Sequence, residues 1–253
     1  MQTNAVSVNN LSLTIDGKPI LRNISFDLKP GETLVLMGKN GSGKTMLLKT
    51  LVGLFRPQSG SAEILGKNVH RLAHSELDEL RRSIGYVFQK SGLFDSLHVW
   101  QNVVFALRRF SDLDDDALRA KATECLNRAG LKDVEDKFPS ELSGGMQKRA
   151  GIARAIAMDP QILLFDDPTA GLDPVLTDAI AELIKGIQRN LGSAAIVVAH
   201  DFNLAYKLAD KIGLVVSGAL HGILSRDEFR QTSEPYFEQF REGKLTGPIP
   251  VIE

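Results

Sequence analysis

A glycine-rich segment at residues 38–45, GKNGSGKT, has the residue types and spacing of a phosphate-binding loop, or P-loop. It fits the pattern G-x-x-x-x-G-K-[ST], follows the apolar run LVLM and precedes a segment with helical apolar spacing. Glycine lets backbone amides curl closely around phosphate oxygens, and the start of the following helix adds amide donors and a favourable dipole. We therefore predict that Lys44 reaches the β- and γ-phosphates of a nucleoside triphosphate and that the Thr45 hydroxyl binds Mg²⁺. The predicted phosphate-binding residues are Gly38, Lys39, Asn40, Gly41, Ser42, Gly43, Lys44 and Thr45.

A second chemical feature is an acid at the end of an apolar run. Residues 162–165, ILLF, lead directly into Asp166. An acid in this position holds Mg²⁺ in P-loop nucleotide hydrolases, and we predict that Asp166 does so through water. Taken alone, an apolar run that ends in aspartate is more often a strand followed by a turn, so this prediction depends on the P-loop.

A third candidate site lies at residues 142–147, LSGGMQ. Ser143 is a good N-cap residue, and Gly144 and Gly145 leave the first amides of the following helix uncovered, which suits an anion. A P-loop already surrounds the phosphates of its own nucleotide. A further anion site is therefore useful chiefly to a nucleotide held by another molecule, and the hypothesis that follows is a dimer.

The elements that must position these residues indicate an α/β protein. Alternating stretches at 6–15 and 20–28, separated by the turn residues 16–19, predict an antiparallel hairpin. Unbroken apolar runs separated by helix-length segments predict a mostly parallel sheet flanked by helices. These runs are residues 34–37, 162–165 and 195–199.

The same patterns predict the organisation of the chain. Helical periodicity replaces the strand pattern between about residues 90 and 158, which indicates an inserted helical subdomain. The predicted fold is a P-loop nucleotide hydrolase core with a mostly parallel sheet, an N-terminal antiparallel β subdomain and that helical insertion. The predicted domains are 1–89 with 159–232 for the ATP-binding core, 90–158 for the helical subdomain and 233–253 for a C-terminal arm, which we expect to be extended.

Composition excludes several classes of function. The 253 residues are 43% hydrophobic and 24% charged, which is typical of a folded globular protein, and the net charge of -1 provides no general attraction to nucleic acid. Cys125, the single cysteine, lies on a helical apolar stripe and is predicted to be a buried structural thiol. The sequence has no secretory signal and no apolar run long enough to span a membrane, so we expect a cytoplasmic protein.

With these residues in place, the chain resembles the ABC ATPases along essentially its whole length. Residues 142–147 resemble the family's signature, Gln89 its Q-loop, Asp173 in AGLD its D-loop, and His200 its switch histidine. The resemblance implies that two copies bind ATP and Mg²⁺ head to tail, with each site made by one copy's P-loop and the other copy's Ser143. It further implies that His200 contacts the γ-phosphate and that Gln89 couples Mg²⁺ and the attacking water to a membrane permease.

Two positions depart from the family pattern. The family usually has a glutamate after the second acid as general base, and this chain has Asp167, whose carboxylate is one methylene shorter. We predict slow but real hydrolysis, because displacements of about 1 Å can cost roughly 100-fold in rate. The alternative is that Asp167 only shapes the turn before Pro168. The family also often stacks adenine on an aromatic residue where this chain has Ile15, so an apolar contact replaces stacking.

Within the family, residues 89–97 and the tail from Tyr236 to Pro250 resemble the ATPases of Mla and other Mce-linked lipid transporters. The resemblance implies a homodimer that drives an integral-membrane permease dimer on the cytoplasmic face of the inner membrane. It also implies a periplasmic Mce-type lipid-binding protein and phospholipid as cargo. The alternative for the tail is that Tyr236, Phe237 and Phe240 simply pack on their own domain.

Three competing functions remain open at this stage. The first is an ATP-gated assembly clamp in which Asp167 makes hydrolysis negligible. The second is the ATPase of an ABC transporter for another substrate. The third is a soluble ABC protein that acts on ribosomes or DNA, which is disfavoured because such proteins usually carry two such domains or long coiled-coil insertions, and because the chain lacks a basic footprint.

Overall fold

A computed structural model describes residues 4–250. The chain divides into two compact units: a first unit formed by residues up to 78 together with those from 194 onward, and a second unit formed by residues 79–193. Among the described residues, no helix has the length and apolar content needed to cross a lipid bilayer.

The first unit contains an antiparallel sheet that begins with the predicted hairpin. Its strand order is β2-β1-β4-β5. The strands are β1 (Val6–Ile15), β2 (Lys18–Leu28), β4 (Ser59–Ile64) and β5 (Lys67–Asn68). The hairpin is confirmed, but the turn has two residues instead of the four that were predicted, because Asp16 (φ 50°) and Gly17 (φ 74°) both adopt positive φ and close the loop tightly.

The first unit also holds buried parallel strands. The strand β3 (Thr33–Met37) pairs in parallel with β8 (Ala194–Val198) on one side and β9 (Lys211–Val216) on the other. Every residue of β3 and β8 is buried, as expected for central strands whose two faces are both covered. The strand β10 (Ala219–Ser225) runs antiparallel to β9. The helices that begin in this unit are α1 (Lys44–Leu51), α2 (His74–Arg82), α8 (Phe202–Leu208), α9 (Arg226–Gln231) and α10 (Pro235–Glu242).

The second unit combines two parallel strands with a set of helices. The strand β6 (Ile84–Val87) pairs in parallel with β7 (Ile162–Asp166). The intervening and following helices are α3 (Val99–Val103), α4 (Phe105–Phe110), α5 (Asp115–Arg128), a short 3-10 helix (Pro139–Glu141), α6 (Gly144–Ile156) and α7 (Pro174–Leu191). Together with the first unit, these elements confirm the predicted α/β class with a mostly parallel sheet.

The helix α5 shows how local sequence fixes an element of this unit. The Asp114 carboxylate accepts a hydrogen bond from the Ala117 amide at 2.9 Å and so caps the start of the helix. Cys125 is fully buried on the inner face of the helix, and burial raises the pKa of its thiol to about 11. The prediction of a buried structural thiol is confirmed.

The expected extended arm is wrong for residues 235–242, which form the helix α10. The Glu234 carboxylate accepts hydrogen bonds from the Tyr236 and Phe237 amides, both at 3.1 Å, and Pro235 occupies the first turn. Phe237 is 2% exposed and packs edge-on against Phe229, with ring centroids 5.6 Å apart. The amphipathic spacing and the N-cap at Glu234 therefore favour a helix here, although turn-forming residues follow farther along the chain. The helix packs on its own unit.

Candidate functional site

The predicted site residues are divided between the two units, and the P-loop belongs to the first. It connects the end of β3 to the start of α1, as the sequence predicts. Gly38 has a φ of 145°, and a Cβ added there would lie 2.1 Å from the Val215 carbonyl oxygen. Gly43 is the N-cap of α1 at a φ of 103°. Both positions require glycine, because a Cβ would meet the chain's own atoms and both backbones have positive φ.

Lys44 is the buried cation of this loop. Its side chain is 4% exposed. The ammonium donates to the carbonyl oxygens of Gly38 at 2.7 Å and Lys39 at 2.8 Å, and to the Ser42 hydroxyl at 3.3 Å. These contacts hold the charge against the loop, where it is available to a phosphate group together with the loop amides. Thr45, the next residue, is half-buried in the first turn of α1.

The C-terminal segment contacts the outer side of the same loop. The Lys39 ammonium donates to the Pro250 carbonyl oxygen at 2.5 Å. A cavity of about 180 Å³ lies beside this contact and is lined by P-loop residues 39–42, the end of β9, and Phe240, Ile249 and Pro250. Nothing in the local sequence predicts this arrangement, because it depends on how the tail returns to its unit.

Two more predicted residues lie in the first unit. His200 is exposed, two residues after the end of β8, and the next residue, Asp201, caps α8 by accepting from the Leu204 amide at 2.7 Å. Ile15 is half-buried at the end of β1, opposite Lys18 of β2. The assigned roles of both residues stay predictions.

The acids of the candidate site belong to the second unit. Asp166 is the last residue of β7 and is 5% exposed, and its Oδ2 accepts a hydrogen bond from the Tyr86 hydroxyl at 3.3 Å. Burial, followed by the charge of Asp166, raises the pKa of the Tyr86 phenol well above its usual range. Tyr86 therefore stays protonated and remains a donor to this carboxylate.

Asp167 is buried and has an unusual backbone conformation. It is 8% exposed, and its φ of 49° lies in the left-handed region, which aspartate tolerates better than most residues. Its carbonyl oxygen accepts from the Ala170 amide at 3.2 Å, so the residue does shape a turn. Its side chain is also engaged, because Oδ2 accepts a hydrogen bond from Gln89 Nε2 at 3.4 Å. The structure therefore brings together two residues that the sequence predicts for the site.

Lys148 in α6 is a residue of this region that sequence reasoning missed. It is 8% exposed, and its ammonium donates to the Gln89 carbonyl oxygen at 2.5 Å. Burial lowers the pKa of this ammonium, and the charge of Asp167 acts in the opposite direction. No local pattern predicts this contact, because a main-chain carbonyl 59 positions away carries no residue-type signature.

The signature residues lie at the exposed start of α6. The Ser143 hydroxyl accepts from the Met146 amide at 3.3 Å, which confirms the predicted N-cap. Ser143 and Gly144 are exposed, and Gly145 is half-buried. The start of this 13-residue helix is thus open to a ligand.

Asp173 caps the helix α7. Its Oδ1 accepts hydrogen bonds from the Val175 amide at 2.9 Å and the Leu176 amide at 3.0 Å. The residue is exposed, and its proposed coupling role stays a prediction.

Comparison with known proteins places these motifs in a family. The family model described as "ABC transporter" matches residues 21–170. A probable ribonucleotide transport ATP-binding protein, mkl, from Mycobacterium leprae is 37% identical over 98% of this chain and 72% of its own length. The intermembrane phospholipid transport system ATP-binding protein MlaF from Haemophilus influenzae is 33% identical over 98% of this chain and 94% of its own length.

A comparison with a solved structure supports the same family. The ATP-binding cassette MJ0796, in a dimeric post-hydrolysis state bound to ADP and Pi, superposes with a TM-score of 0.80 at 31% identity, over 87% of this chain and 98% of that one. Along the chain, the P-loop is followed by the serine-capped α6 and then by the acids at the end of β7. The chain belongs to the ABC transporter family, in which it is an ATP-binding subunit that hydrolyses ATP.

Proposed function

We propose that this chain forms a homodimer that hydrolyses ATP to drive phospholipid transport through a separate integral-membrane permease. The observation that carries the proposal is the match to MlaF, which spans nearly the whole length of both chains. Residues 89–97 and the segment from Tyr236 to Pro250 support the same assignment by their resemblance to Mla-type ATPases. On this proposal the protein works as a peripheral subunit on the cytoplasmic face of the inner membrane.

The P-loop residues 38–45 bind the triphosphate of ATP. The glycine-only positions and the buried Lys44 ammonium form a cradle of the right chemistry for phosphate oxygens. The Thr45 hydroxyl and the Asp166 carboxylate are hard oxygen donors that suit Mg²⁺, and Gln89 contributes an amide oxygen. Mg²⁺, when bound, neutralises charge on the phosphates. Ile15 provides an apolar contact for the base.

Asp167 is the proposed general base for the attacking water, and His200 the proposed contact to the γ-phosphate. The hydrogen bond from Gln89 to Asp167 supports a shared task for these two residues. We expect slow turnover because the aspartate carboxylate has a shorter reach than the glutamate usual in the family. Turnover, even if slow, separates this ATPase from an ATP-gated clamp.

A second copy of the chain completes each site. Ser143, Gly144 and Gly145 present an open helix start that is not needed by the chain's own P-loop. The dimeric state of the MJ0796 cassette supports this proposal. Asp173, exposed at the start of α7, is proposed to couple the two sites.

The domain roles and further partners follow from the same assignment. The ATP-binding core is residues 1–89 and 159–232, the signature subdomain is 90–158, and residues 233–253 form a C-terminal arm, of which 251–253 lie outside the described residues. The permease acts as a dimer, and a Mce-type lipid-binding protein is its partner across the membrane. The net charge of -1 gives no support to nucleic acid as a partner.

The cargo is tested by purifying a tagged chain from membranes in detergent and identifying the co-purifying chains and lipids. We expect a permease, a Mce-type protein and bound phospholipid. A permease of the methionine or ribonucleotide class, or a complex without lipid, would contradict the phospholipid assignment and leave the ATPase intact. The matched control is the Lys44→Ala chain, which should assemble in the same complex but release no phosphate from ATP.

A further inference from the structure

We infer that Lys148 is a positioning residue for ATP hydrolysis, which holds the main chain at Gln89 and thereby the side chain that contacts Asp167. The inference rests on the proposed roles of Gln89 and Asp167, and it assigns a task to a residue that the predicted site does not contain. Lys148 acts through these two residues and is not itself a catalytic residue.

The hydrogen bond from Lys148 to Gln89 is the first observation. Lys148 is the fifth residue of α6, and its ammonium donates to the Gln89 carbonyl oxygen at 2.5 Å. The Gln89 side chain is exposed, so little packing holds it, and its direction depends on how its main chain is fixed. The Lys148 ammonium fixes the main chain at Gln89 itself, through the hydrogen bond to its carbonyl oxygen.

The close packing of α6 on β6 fixes the position of Lys148 relative to the strand. These two elements are in contact, and a Cβ added at Gly85 in β6 would lie 2.4 Å from the Ala155 carbonyl oxygen of α6. Such close approach leaves the helix little freedom to slide along the strand. The distance from the helix to Gln89, two residues past the end of β6, is therefore restricted.

The second observation is the charge compensation between Lys148 and Asp167. Lys148 and Asp167 are both 8% exposed, and each would be costly to bury without a compensating group. Burial lowers the pKa of the Lys148 ammonium, and the charge of Asp167 opposes that effect. Asp167 also accepts from the Gln89 amide, so the three residues form one connected group. Removal of the cation leaves Asp167 with weaker charge compensation and Gln89 with a free carbonyl.

A second cation on α6 shows which part of this task is specific to Lys148. Arg154 donates to the carbonyl oxygens of Ser91 at 2.8 Å and Gly92 at 2.6 Å. Ser91 (φ 38°) and Gly92 (φ 65°) both have left-handed backbones, which turn the loop. Arg154 thus holds the loop two or three residues beyond Gln89. Of these two cations, Lys148 holds the residue that contacts Asp167.

The test uses the full-length ATPase and a set of Lys148 variants. Lys148→Met removes charge and donor, Lys148→Gln keeps a donor without charge, and Lys148→Arg keeps both. Lys132→Met, on an exposed lysine of the same unit, is the matched control. We expect Lys148→Met to lower kcat at least about tenfold while the Kd for ATP changes less than about threefold. Lys148→Arg should recover most of the rate, and Lys148→Gln should lie between the two.

A double-mutant cycle separates positioning from loss of stability. If Lys148 acts through Asp167, Lys148→Met should add little to the defect of Asp167→Asn. A kcat for Lys148→Met equal to that of Lys132→Met, or effects that multiply in the double variant, would overturn the inference. Absence of turnover in the wild-type chain would instead contradict the proposed function itself. If Lys148→Met does not fold, the Gln and Arg variants decide by the same comparison.

Discussion

The P-loop and the loop that follows Gln89 are held in place by different kinds of contact. In the P-loop, Lys44 donates to groups two, five and six positions away, and two glycines set the path of the chain. At Gln89 the partners lie 59 and 78 positions away, on α6 and after β7. The first loop is thus shaped by close backbone contacts, including those with Val215 and the Gly218 amide, and the second by side chains that reach it from elsewhere. We expect a backbone change in the P-loop to abolish ATP binding. Loss of a single side chain that holds the loop after Gln89 should lower the rate of hydrolysis only in part.

Gly38→Ala should cause the largest loss of ATP binding and hydrolysis. The added Cβ would lie 2.1 Å from the Val215 carbonyl oxygen at a φ of 145°, so the loop must move. We expect loss of measurable ATP binding, and with it of hydrolysis, in a nucleotide-binding titration. The control is Gly41→Ala, where φ is 76° but no atom lies within 4 Å of the added carbon. Equal binding by both variants would contradict the backbone account.

Asp167→Asn should give the next largest effect. Asparagine keeps the shape of the residue and tolerates a φ of 49°, but it cannot accept a proton from water. We expect kcat to fall by about 100-fold with ATP affinity retained, as measured by single-turnover phosphate release. Unchanged turnover would instead support the view that Asp167 only shapes its turn.

Arg154→Met should weaken the loop after Gln89 without touching Asp167. The substitution removes the hydrogen bonds to Ser91 and Gly92 but leaves Lys148 in place. We expect a fall in kcat of about threefold, smaller than for Lys148→Met, because loss of such hydrogen bonds costs roughly 1–3 kcal/mol and is shared with the rest of the loop. A larger defect for Arg154→Met than for Lys148→Met would reverse the assignment of the two cations.

Gln239→Leu should have the smallest and most local effect. The buried Gln239 side chain donates to the carbonyl oxygens of Lys244 and Ile249 and accepts from the Ile249 amide at 2.7 Å, so it ties the tail to α10. We expect faster amide hydrogen exchange in residues 244–250, with protection in α10 retained, because the lost bonds stabilise only this segment. Unchanged exchange there would show that other contacts hold the tail.

The difference between local and distant contacts explains which features the sequence could predict. The place of residues 38–45 between a strand and a helix, the N-cap at Ser143 and the buried strands follow from residue types within a few positions, and these predictions are confirmed. Lys148, Arg154 and Tyr86 were missed because each meets a group at least 59 positions away, which no local pattern encodes. The helix α10 was missed for another reason. The turn-forming Gly247 and Pro248 favour an extended chain, whereas the cap at Glu234 starts a helix earlier in the same segment.

The most direct test of the shared site is a mixing experiment with two inactive variants, Lys44→Ala and Ser143→Arg. One chain lacks a working P-loop and the other a working signature, so each homodimer should be inactive. If each site takes its P-loop from one copy and its serine from the other, a mixed dimer contains one intact site. We predict that an equal mixture recovers phosphate release, up to about a quarter of the wild-type rate. Recovery of no activity in mixtures shown to contain mixed dimers would contradict the shared site.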